Sequence, residues 1–195
     1  ESHVSDLRDS DATEALIAKI LSGGVVDILV NNAGIQHTAT IAEMPRNKWN
    51  DIIAINLSSF FDTVRLLLPE MAKRGSGRVI NIASVHGLVA SAAKAPYVAA
   101  KHGVVGLTKV AALEYAKLGD CHSGGITINA ICPGWVETAL IEPQIQARVD
   151  SHNGDRAAGI ADLLSEKQPS QRMSTPSDIG ALALWLCNSA AHNIT

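Results

Sequence analysis

The sequence predicts an α/β fold with a doubly wound parallel sheet and helices on both of its faces. Three short apolar runs, at residues 25–30, 79–83 and 126–131, show no regular alternation with polar residues, which is typical of strands covered on both sides. Stretches with apolar residues at helical spacing stand between these runs. Strands that alternate with helices indicate βαβ units and hence a parallel sheet.

Composition favours one ordinary globular domain over residues 1–195. With 47% hydrophobic and 18% charged residues, the chain has enough apolar material for one sizeable core. A net charge of −3 gives no basic surface, so nucleic acid and anionic membranes are poor partner candidates. An unbroken apolar run of about 18 residues and a signal-peptide pattern are both missing, which favours a cytoplasmic location. Cys121, Cys132 and Cys187 lack metal-ligand spacing, so we expect reduced thiols and no metal site.

Apolar residues at spacings of three and four predict four helices, over 12–21, 47–73, 97–116 and 178–186. The first helix is expected to follow the end of a strand within residues 1–10, with Ser10, Asp11 and Thr13 as capping types. Residues 135–172 mix charges with prolines and glycines. They are predicted to form a helical substrate lid with mobile ends.

Polar or Gly-rich segments follow all three predicted strands. They are residues 31–34, Ser84 and residues 133–134. Ligands of doubly wound folds bind beyond the carboxyl ends of the strands, so we expect these segments to line one cleft. Asn56 lies on the apolar stripe of the helix over 47–73. Because a buried amide must find hydrogen-bond partners, Asn56 is either a clamp on neighbouring backbone or part of a polar site.

Tyr97 and Lys101 stand four residues apart in a predicted helix and therefore share one face. A free tyrosine has a pKa of about 10, and an ammonium one turn away lowers that pKa by favouring the phenolate. Ser84 at the end of a strand can hold a carbonyl or alcohol oxygen beside the phenol. Taken alone, the pair also fits a surface tyrosine and a solvated lysine.

The motifs, in this order, resemble the short-chain dehydrogenase/reductase family along essentially the whole chain. They are Asn31-Asn32-Ala33-Gly34, the helical Asn56, Ser84, Tyr97-Val98-Ala99-Ala100-Lys101, Asn129-Ala130-Ile131-Cys132-Pro133-Gly134 and Thr138. The resemblance implies a Rossmann-type sheet and an oxidoreductase that uses NAD, with NADP not excluded.

The resemblance assigns roles to individual residues. Tyr97 is implied as the catalytic acid/base, Lys101 as the residue that lowers its pKa and binds the nicotinamide ribose, and Ser84 as the residue that orients the carbonyl. Asn56 is implied to hold a water in the proton relay, which replaces the clamp as the favoured interpretation. The implied cofactor contacts are Asp6, Leu7, Asn32, Ala33, Gly34, Tyr97, Lys101, Pro133, Gly134, Val136 and Thr138.

Four strings are similar to family members that act on 3-hydroxybutyrate, at residues 31–37, 83–91, 94–103 and 131–136. The resemblance implies that Gln36, His86, Lys94 and Gln144 hold the carboxylate of a small hydroxy acid, with Ser84 and Tyr97 at the reacting oxygen and Trp135 closing the pocket. A short anion needs a fixed cation or amide donors. Each residue alone also fits a solvated amide, a turn histidine or an exposed charge.

The chain also departs from the family pattern. It lacks the first βαβ unit, whose Gly-rich phosphate loop and acidic ribose residue normally decide between NAD and NADP. The last strand is missing as well. We therefore expect a fragment of a longer protein, truncated at both ends, rather than a degenerate relative.

The expected activity is hydride transfer between NAD and C3 of D-3-hydroxybutyrate, which gives acetoacetate. One alternative is a 3-oxoacyl thioester or other carbonyl reductase that uses NADPH, which would tolerate changes at Lys94 and Gln144. The other is a non-catalytic dinucleotide-sensing scaffold. Family resemblance also implies a homotetramer joined through the helices over 47–73 and 97–116.

Overall fold

Three parallel strands form the sheet in the computed structural model, which describes residues 1–119, 124–165 and 168–195. The strands are β1 (Ile28–Asn31), β2 (Ser76–Ile82) and β3 (Gly125–Ile131), in the spatial order β1-β2-β3. The register aligns Asn31 with Asn81 and Ile82 with Ile131, so the carboxyl ends of the strands lie at one edge. The predicted α/β fold with a parallel sheet is confirmed.

Helices precede, connect and follow the strands. They are α1 (Ser10–Gly23), α2 (Arg46–Ile53), α3 (Ser59–Arg74), α4 (Ala95–Tyr115), α5 (Glu142–Ser151), α6 (Arg156–Ser165) and α7 (Pro176–Leu186), with 3₁₀ turns at Val85–Gly87 and Ser189–Ala191. The four helices predicted from spacing are present. The second of them is interrupted, because a π-helical turn over Ala54–Ser58 joins α2 to α3.

The start of the chain differs from its prediction. Residues 1–9 are all described and hold no strand, because a strand exists only where a neighbouring strand pairs with its backbone. The residue that caps α1 is Asp9, whose Oδ1 accepts a hydrogen bond from Ala12 N–H at 3.0 Å. Ser10, Asp11 and Thr13 lie inside the helix instead. Several neighbouring residues are chemically able to cap, so the sequence left the choice open.

The described residues divide into two compact units. The first comprises Glu1–Cys132 and Ala183–Thr195, and the second comprises Pro133–Leu182. In the first unit, side chains of α3 and α4 pack on one face of the sheet around Val64, Leu68, Met71, Val79, Ala111, Ile126 and Ile128. In the second unit, α5 and α6 enclose a core of Ile141, Ile145, Val149 and Leu163. The residues predicted to form a lid fall within the second unit.

The Ala- and Gly-rich helix α4 packs closely inside the first unit. A Cβ added to Gly103 would lie 2.8 Å from Leu57 Cδ2, and a Cβ added to Gly87 would lie 2.8 Å from the Lys101 carbonyl oxygen. Both distances are too short for a real side chain, so the small residues set how near α4 comes to its neighbours.

The helical stretch Arg46–Arg74 is long and apolar enough to cross a membrane by length and composition alone. In the structure, 44% of its most apolar window is buried, and its α3 part packs on the sheet through Val64, Leu68 and Met71. This packing on the sheet is typical of a helix in a folded domain.

Candidate active site

Ser84 lies two residues beyond β2, at the carboxyl end of the sheet. The preceding Ala83 N–H donates to the carbonyl of Ile131 at 2.8 Å, which fixes the chain up to this point. The Ser84 hydroxyl accepts a hydrogen bond from His86 N–H at 3.1 Å and caps the 3₁₀ turn Val85–Gly87. The strand and the turn therefore hold Ser84 from both sides.

Tyr97 lies in the first turn of α4, which Pro96 opens. Proline suits this position because its missing N–H is not needed there and its φ is already helical. The Tyr97 side chain is buried, and an interaction with the Ser84 side chain lowers the pKa of its phenol. Its ring meets the His86 ring edge-on, with centroids 5.9 Å apart. The structure thus brings three of the predicted site residues together.

Lys101 follows Tyr97 by one helical turn and is only 3% exposed. Its Nζ donates to the carbonyl oxygen of Ile82 at 2.7 Å and lies 5.7 Å from the centroid of the Tyr97 ring. Burial lowers the pKa of Lys101 from 10.5 to about 8, an effect that Cys132 partly opposes. The ammonium form therefore still predominates near neutral pH.

The pKa of Tyr97 differs from expectation. Burial raises it above the ordinary value of 10, and the hydrogen bond with Ser84 lowers it only in part. The lower pKa expected from Lys101 is therefore not the net effect in this structure. The reason is physical: an apolar environment penalises the phenolate, and the Lys101 ammonium bonds a β2 carbonyl.

Asn56 lies fully buried in the π-helical turn. Its Oδ1 accepts a hydrogen bond from Ile35 N–H at 2.9 Å, and its Nδ2 donates to the Ile35 carbonyl at 2.9 Å. This reciprocal pair fastens the loop after β1 to the helix, as the clamp interpretation requires. The role of Asn56 in a proton relay stays a prediction.

Three candidate substrate donors lie in the first unit. Gln36 Nε2 is buried and has no hydrogen-bond partner in the part of the chain that the structure describes. His86 Nε2 lies 2.7 Å from Ser91 Oγ. Lys94 directly precedes α4 and is 8% exposed, so it is not the exposed charge of the alternative interpretation. Buried donors of this kind are typical of a site for an anion.

The remaining substrate and nicotinamide candidates belong to the second unit: Pro133, Gly134, Trp135, Val136, Thr138 and Gln144. Trp135 packs against the core of α5 and α6, and its carbonyl accepts a hydrogen bond from Ser174 N–H at 2.9 Å. Thr138 is exposed, and its hydroxyl donates to the Val136 carbonyl at 3.4 Å. Gln144 is half-buried in the first turn of α5. Their roles stay predictions.

The predicted adenosine contacts lie in the first unit. Asp6 is exposed and accepts hydrogen bonds from the Arg8 guanidinium at 2.7–3.1 Å, which holds the pKa of Asp6 at about 2. Leu7 is half-buried. Asn32, Ala33 and Gly34 follow β1 in irregular backbone, which leaves their N–H and carbonyl groups outside the sheet ladder.

Metal sites and disulfides each require a specific arrangement of side chains. No group of His, Cys, Asp or Glu side chains there is arranged to hold a metal ion. Cys132 and Cys187 are free, and Cys121 lies outside the described residues.

Comparison with known proteins identifies the family. The sequence model described as short chain dehydrogenase matches residues 2–148. The chain belongs to the short-chain dehydrogenase family. It is 53% identical over 171 residues to a D-beta-hydroxybutyrate dehydrogenase of Cupriavidus necator, in a match that covers 88% of this chain and 64% of that protein. It is 43% identical over 194 residues to the D-beta-hydroxybutyrate dehydrogenase of Rhizobium meliloti, in a match that covers 99% of this chain and 73% of that protein.

Solved structures agree with this short-chain dehydrogenase assignment. A variant of actinorhodin polyketide ketoreductase with NADPH superimposes with a TM-score of 0.87 at 35% identity, over 99% of this chain and 72% of that one. The chain spans 64% of the length of its Cupriavidus relative. What the relatives act on is therefore carried to this chain only as a proposal.

Sequence reasoning missed a buried polar chain beneath the short-chain dehydrogenase site. Asn31, Asn81 and Thr108 are buried and hydrogen-bonded in series at 2.9 Å per step. It also missed the Ile82 carbonyl as the partner of Lys101. A signal for the first was present, since Asn81 interrupts an apolar strand and a buried amide must be paired.

Proposed function

We propose that this chain carries the catalytic site of an NAD-dependent dehydrogenase that interconverts D-3-hydroxybutyrate and acetoacetate. The observation that carries the proposal is the convergence of Ser84, Tyr97 and Lys101, all buried, at the carboxyl end of the parallel sheet. The similarity to two D-beta-hydroxybutyrate dehydrogenases supports the choice of substrate.

The residues present fit a nicotinamide dinucleotide. Such cofactors lie across the carboxyl ends of parallel strands, where irregular backbone at residues 32–34 follows β1. The Lys101 ammonium has three donors and one described hydrogen bond, so we propose that the others bind ribose hydroxyls. Bound NAD would supply the hydride acceptor, and a structural relative with NADPH supports the cofactor class.

The chemical step needs one group that moves a proton. In oxidation, the Tyr97 phenolate takes the hydroxyl proton as hydride leaves C3, so the O–H and C–H bonds break and the carbonyl forms. Ser84 donates a hydrogen bond to the substrate oxygen and stabilises the charge that develops on it. Because burial raises the pKa of Tyr97, the nearby charge of Lys101 is needed to make the phenolate accessible.

The substrate carboxylate is proposed to bind the buried donors of the first unit. Gln36 Nε2 without a described partner suits one carboxylate oxygen, and the buried Lys94 supplies positive charge. His86 lies against Tyr97 and is proposed to orient the carboxylate. Trp135, Gln144 and the predicted lid belong to the second unit, whose helices α5 and α6 have their own core, and their roles toward the substrate stay predictions.

The deciding experiment assays the full-length protein with NAD by the absorbance of reduced nicotinamide. D-3-hydroxybutyrate is expected to reduce NAD, and its L-enantiomer and NADP serve as controls. Turnover of other alcohols without turnover of D-3-hydroxybutyrate would overturn the substrate while leaving the dehydrogenase proposal intact. No NAD(P)-dependent activity on any alcohol or ketone would overturn both.

A second candidate is a 3-oxoacyl thioester reductase that uses NADPH. The structural likeness to a polyketide ketoreductase with NADPH favours it. A thioester has no free carboxylate beside its ketone, so this function predicts that Lys94→Met and Gln144→Leu leave activity unchanged. The hydroxybutyrate function predicts that each raises KM.

We also propose the predicted homotetramer, joined through α3 and α4. Phe61 on α3 is 49% exposed, and Val110 and Leu113 on α4 are 53% and 79% exposed, which is apolar area suited to an interface. Light scattering of Leu113→Glu is expected to show a smaller species than the parent protein. A parent protein that is already monomeric contradicts the proposal.

A further inference from the structure

A chain of hydrogen-bonded side chains crosses the first unit from α3 to α4. Thr63 donates to Asn31 Oδ1 at 2.8 Å, and Asn31 Nδ2 donates to Asn81 Oδ1 at 2.9 Å. Asn81 Nδ2 then donates to Thr108 Oγ1 at 2.9 Å, and Thr108 donates to the Val104 carbonyl at 2.7 Å. Every donor points the same way, an arrangement in which each hydrogen bond strengthens the next.

Two neighbouring residues of β2 hold α4 at two points. Asn81 bonds Thr108 through its side chain, and Ile82 bonds Lys101 through its carbonyl oxygen at 2.7 Å. Lys101 and Thr108 are seven residues, or two helical turns, apart and therefore lie on one face of α4. Any slide or rotation of α4 along β2 would break both contacts.

Apolar contacts also hold this face of α4 within the first unit. Val104, which lies between Lys101 and Thr108, contributes apolar contacts, and these are non-directional. Hydrogen bonds, in contrast, fail when a donor and an acceptor move apart by about an ångström. The Asn81 to Thr108 bond is therefore suited to set the register of the helix that carries Tyr97.

We propose that Thr108 is a positioning residue for the reaction: by accepting the hydrogen bond of Asn81, it fixes α4 against β2 and so holds Tyr97 and Lys101 beside Ser84. The inference rests on the proposed function for its kinetic consequences, whereas the ionisation of Tyr97 reports the same geometry without turnover.

Loss of the Thr108 hydroxyl leaves a buried Asn81 donor without its acceptor. An unpaired buried donor is costly, so α4 is expected to move until water or another acceptor satisfies it. That movement carries Tyr97 and Lys101 together away from Ser84, since both lie on α4. Because the interaction with Ser84 lowers the pKa of Tyr97, its loss raises that pKa and slows proton transfer.

The test uses matched threonine variants of the full-length protein. Thr108→Val removes the hydroxyl and keeps the shape, while Thr108→Ser keeps the hydroxyl. Thr13→Val is the control, because Thr13 is also a buried helical threonine whose hydroxyl donates to the carbonyl four residues back, that of Asp9, at 3.0 Å. It accepts no hydrogen bond from a strand residue in the described part of the chain, so it tests stability alone.

Two readouts are compared. The first is kcat against pH, with KM measured alongside. The second is ultraviolet titration of the phenolate, in which the difference from Tyr97→Phe isolates the ionisation of Tyr97. Thr108→Val is expected to lower kcat about tenfold with KM changed less than about threefold, and to shift the Tyr97 midpoint upward by about half a unit. Thr108→Ser is expected to keep the kcat and the Tyr97 midpoint of the parent protein.

Three results would overturn the positioning role. The first is a folded Thr108→Val whose kcat and Tyr97 midpoint equal those of the parent protein. The second is a Thr108→Ser that is as impaired as Thr108→Val. The third is a Thr13→Val that shifts the Tyr97 midpoint as much as Thr108→Val does. If Thr108→Val does not fold, Thr108→Ala removes the same acceptor with less bulk and is judged by the same criteria. If the parent protein turns over no hydroxy acid, the proposed function fails, and the Tyr97 titration still decides the role of Thr108.

Discussion

Lys101 donates a 2.7 Å hydrogen bond to the carbonyl oxygen of Ile82, a neutral partner, from a position that is 3% exposed. A buried ammonium that bonds a carbonyl is less well compensated than one that bonds a carboxylate. Because burial disfavours the charged form, the pKa of Lys101 is lowered to about 8. The site therefore contains a charge that destabilises the fold and that is proposed to serve the reaction.

Replacing Lys101 by Met is expected to stabilise the folded protein near pH 7 and to abolish turnover. Lowering the pKa from 10.5 to about 8 corresponds to about 3 kcal/mol of destabilisation by the charged form. Leaving the Ile82 carbonyl without a hydrogen-bond partner costs about 1 kcal/mol and offsets part of this stabilisation. The free energy of unfolding should then rise by about 1 to 2 kcal/mol in urea denaturation, while the exposed Lys109→Met leaves it unchanged.

The pH dependence of stability follows from the same shift. Between about pH 8 and about pH 10.5, the unfolded chain binds the Lys101 proton and the folded chain does not. The free energy of unfolding should therefore rise with pH across this window, and Lys101→Met should remove the rise. Tyr97, with a pKa raised above 10, acts in the opposite direction only above that pH. A Lys101→Met protein less stable than the parent at neutral pH contradicts the prediction.

Tyr97→Phe is expected to lower kcat by at least about a hundredfold, because it removes the only proposed proton acceptor. Cofactor affinity, measured by fluorescence titration, should change little, since the ring and its packing remain. Tyr115→Phe on the same helix is the control and should retain activity. Retained turnover in Tyr97→Phe would point to another acid/base.

Gln36→Leu separates substrate binding from stability. Gln36 Nε2 is buried without a described partner, and such a donor costs about 1–3 kcal/mol until a ligand satisfies it. An apolar residue of similar size should therefore leave the melting temperature equal or higher and raise KM for D-3-hydroxybutyrate about tenfold. Uncharged alcohols should show no change in KM. An unaltered KM for the anion would remove Gln36 from the substrate site.

Hydrophobic patterning located the strands but not their ends. β2 was predicted from residue 79, yet its ladder begins at Ser76, because Ser76 and Gly77 pair with Gly125 and Ile126 of β3. Polar strand ends carry no apolar pattern, so only the partner strand reveals them. Tyr97 and Lys101 were found because their spacing is local to one helix, whereas the carbonyl that holds Lys101 depends on the register between α4 and β2.

The π-helical turn at Asn56 is a second feature that the pattern did not contain. The spacing predicted one continuous helix over 47–73, and the structure breaks its hydrogen-bond pattern at Ala54–Ser58. Inside this turn Leu57 packs against Gly103 of α4, and Asn56 bonds Ile35. Both contacts are made with distant parts of the chain, and such tertiary contacts override local helical preference.

Asn56→Ala decides between the clamp and the proton relay. The clamp predicts a loss of about 2 kcal/mol of stability, because two hydrogen bonds to Ile35 disappear. It also predicts a higher KM, since the loop after β1 carries Gln36, with kcat changed little. The relay predicts the reverse, a fall in kcat at nearly constant KM. The exposed Asn50→Ala on α2 serves as the control. Since both Asn56 amide atoms are already bonded to Ile35, we expect the effects on stability and KM to dominate. A fall in kcat alone, with the stability of the parent protein, would contradict the clamp.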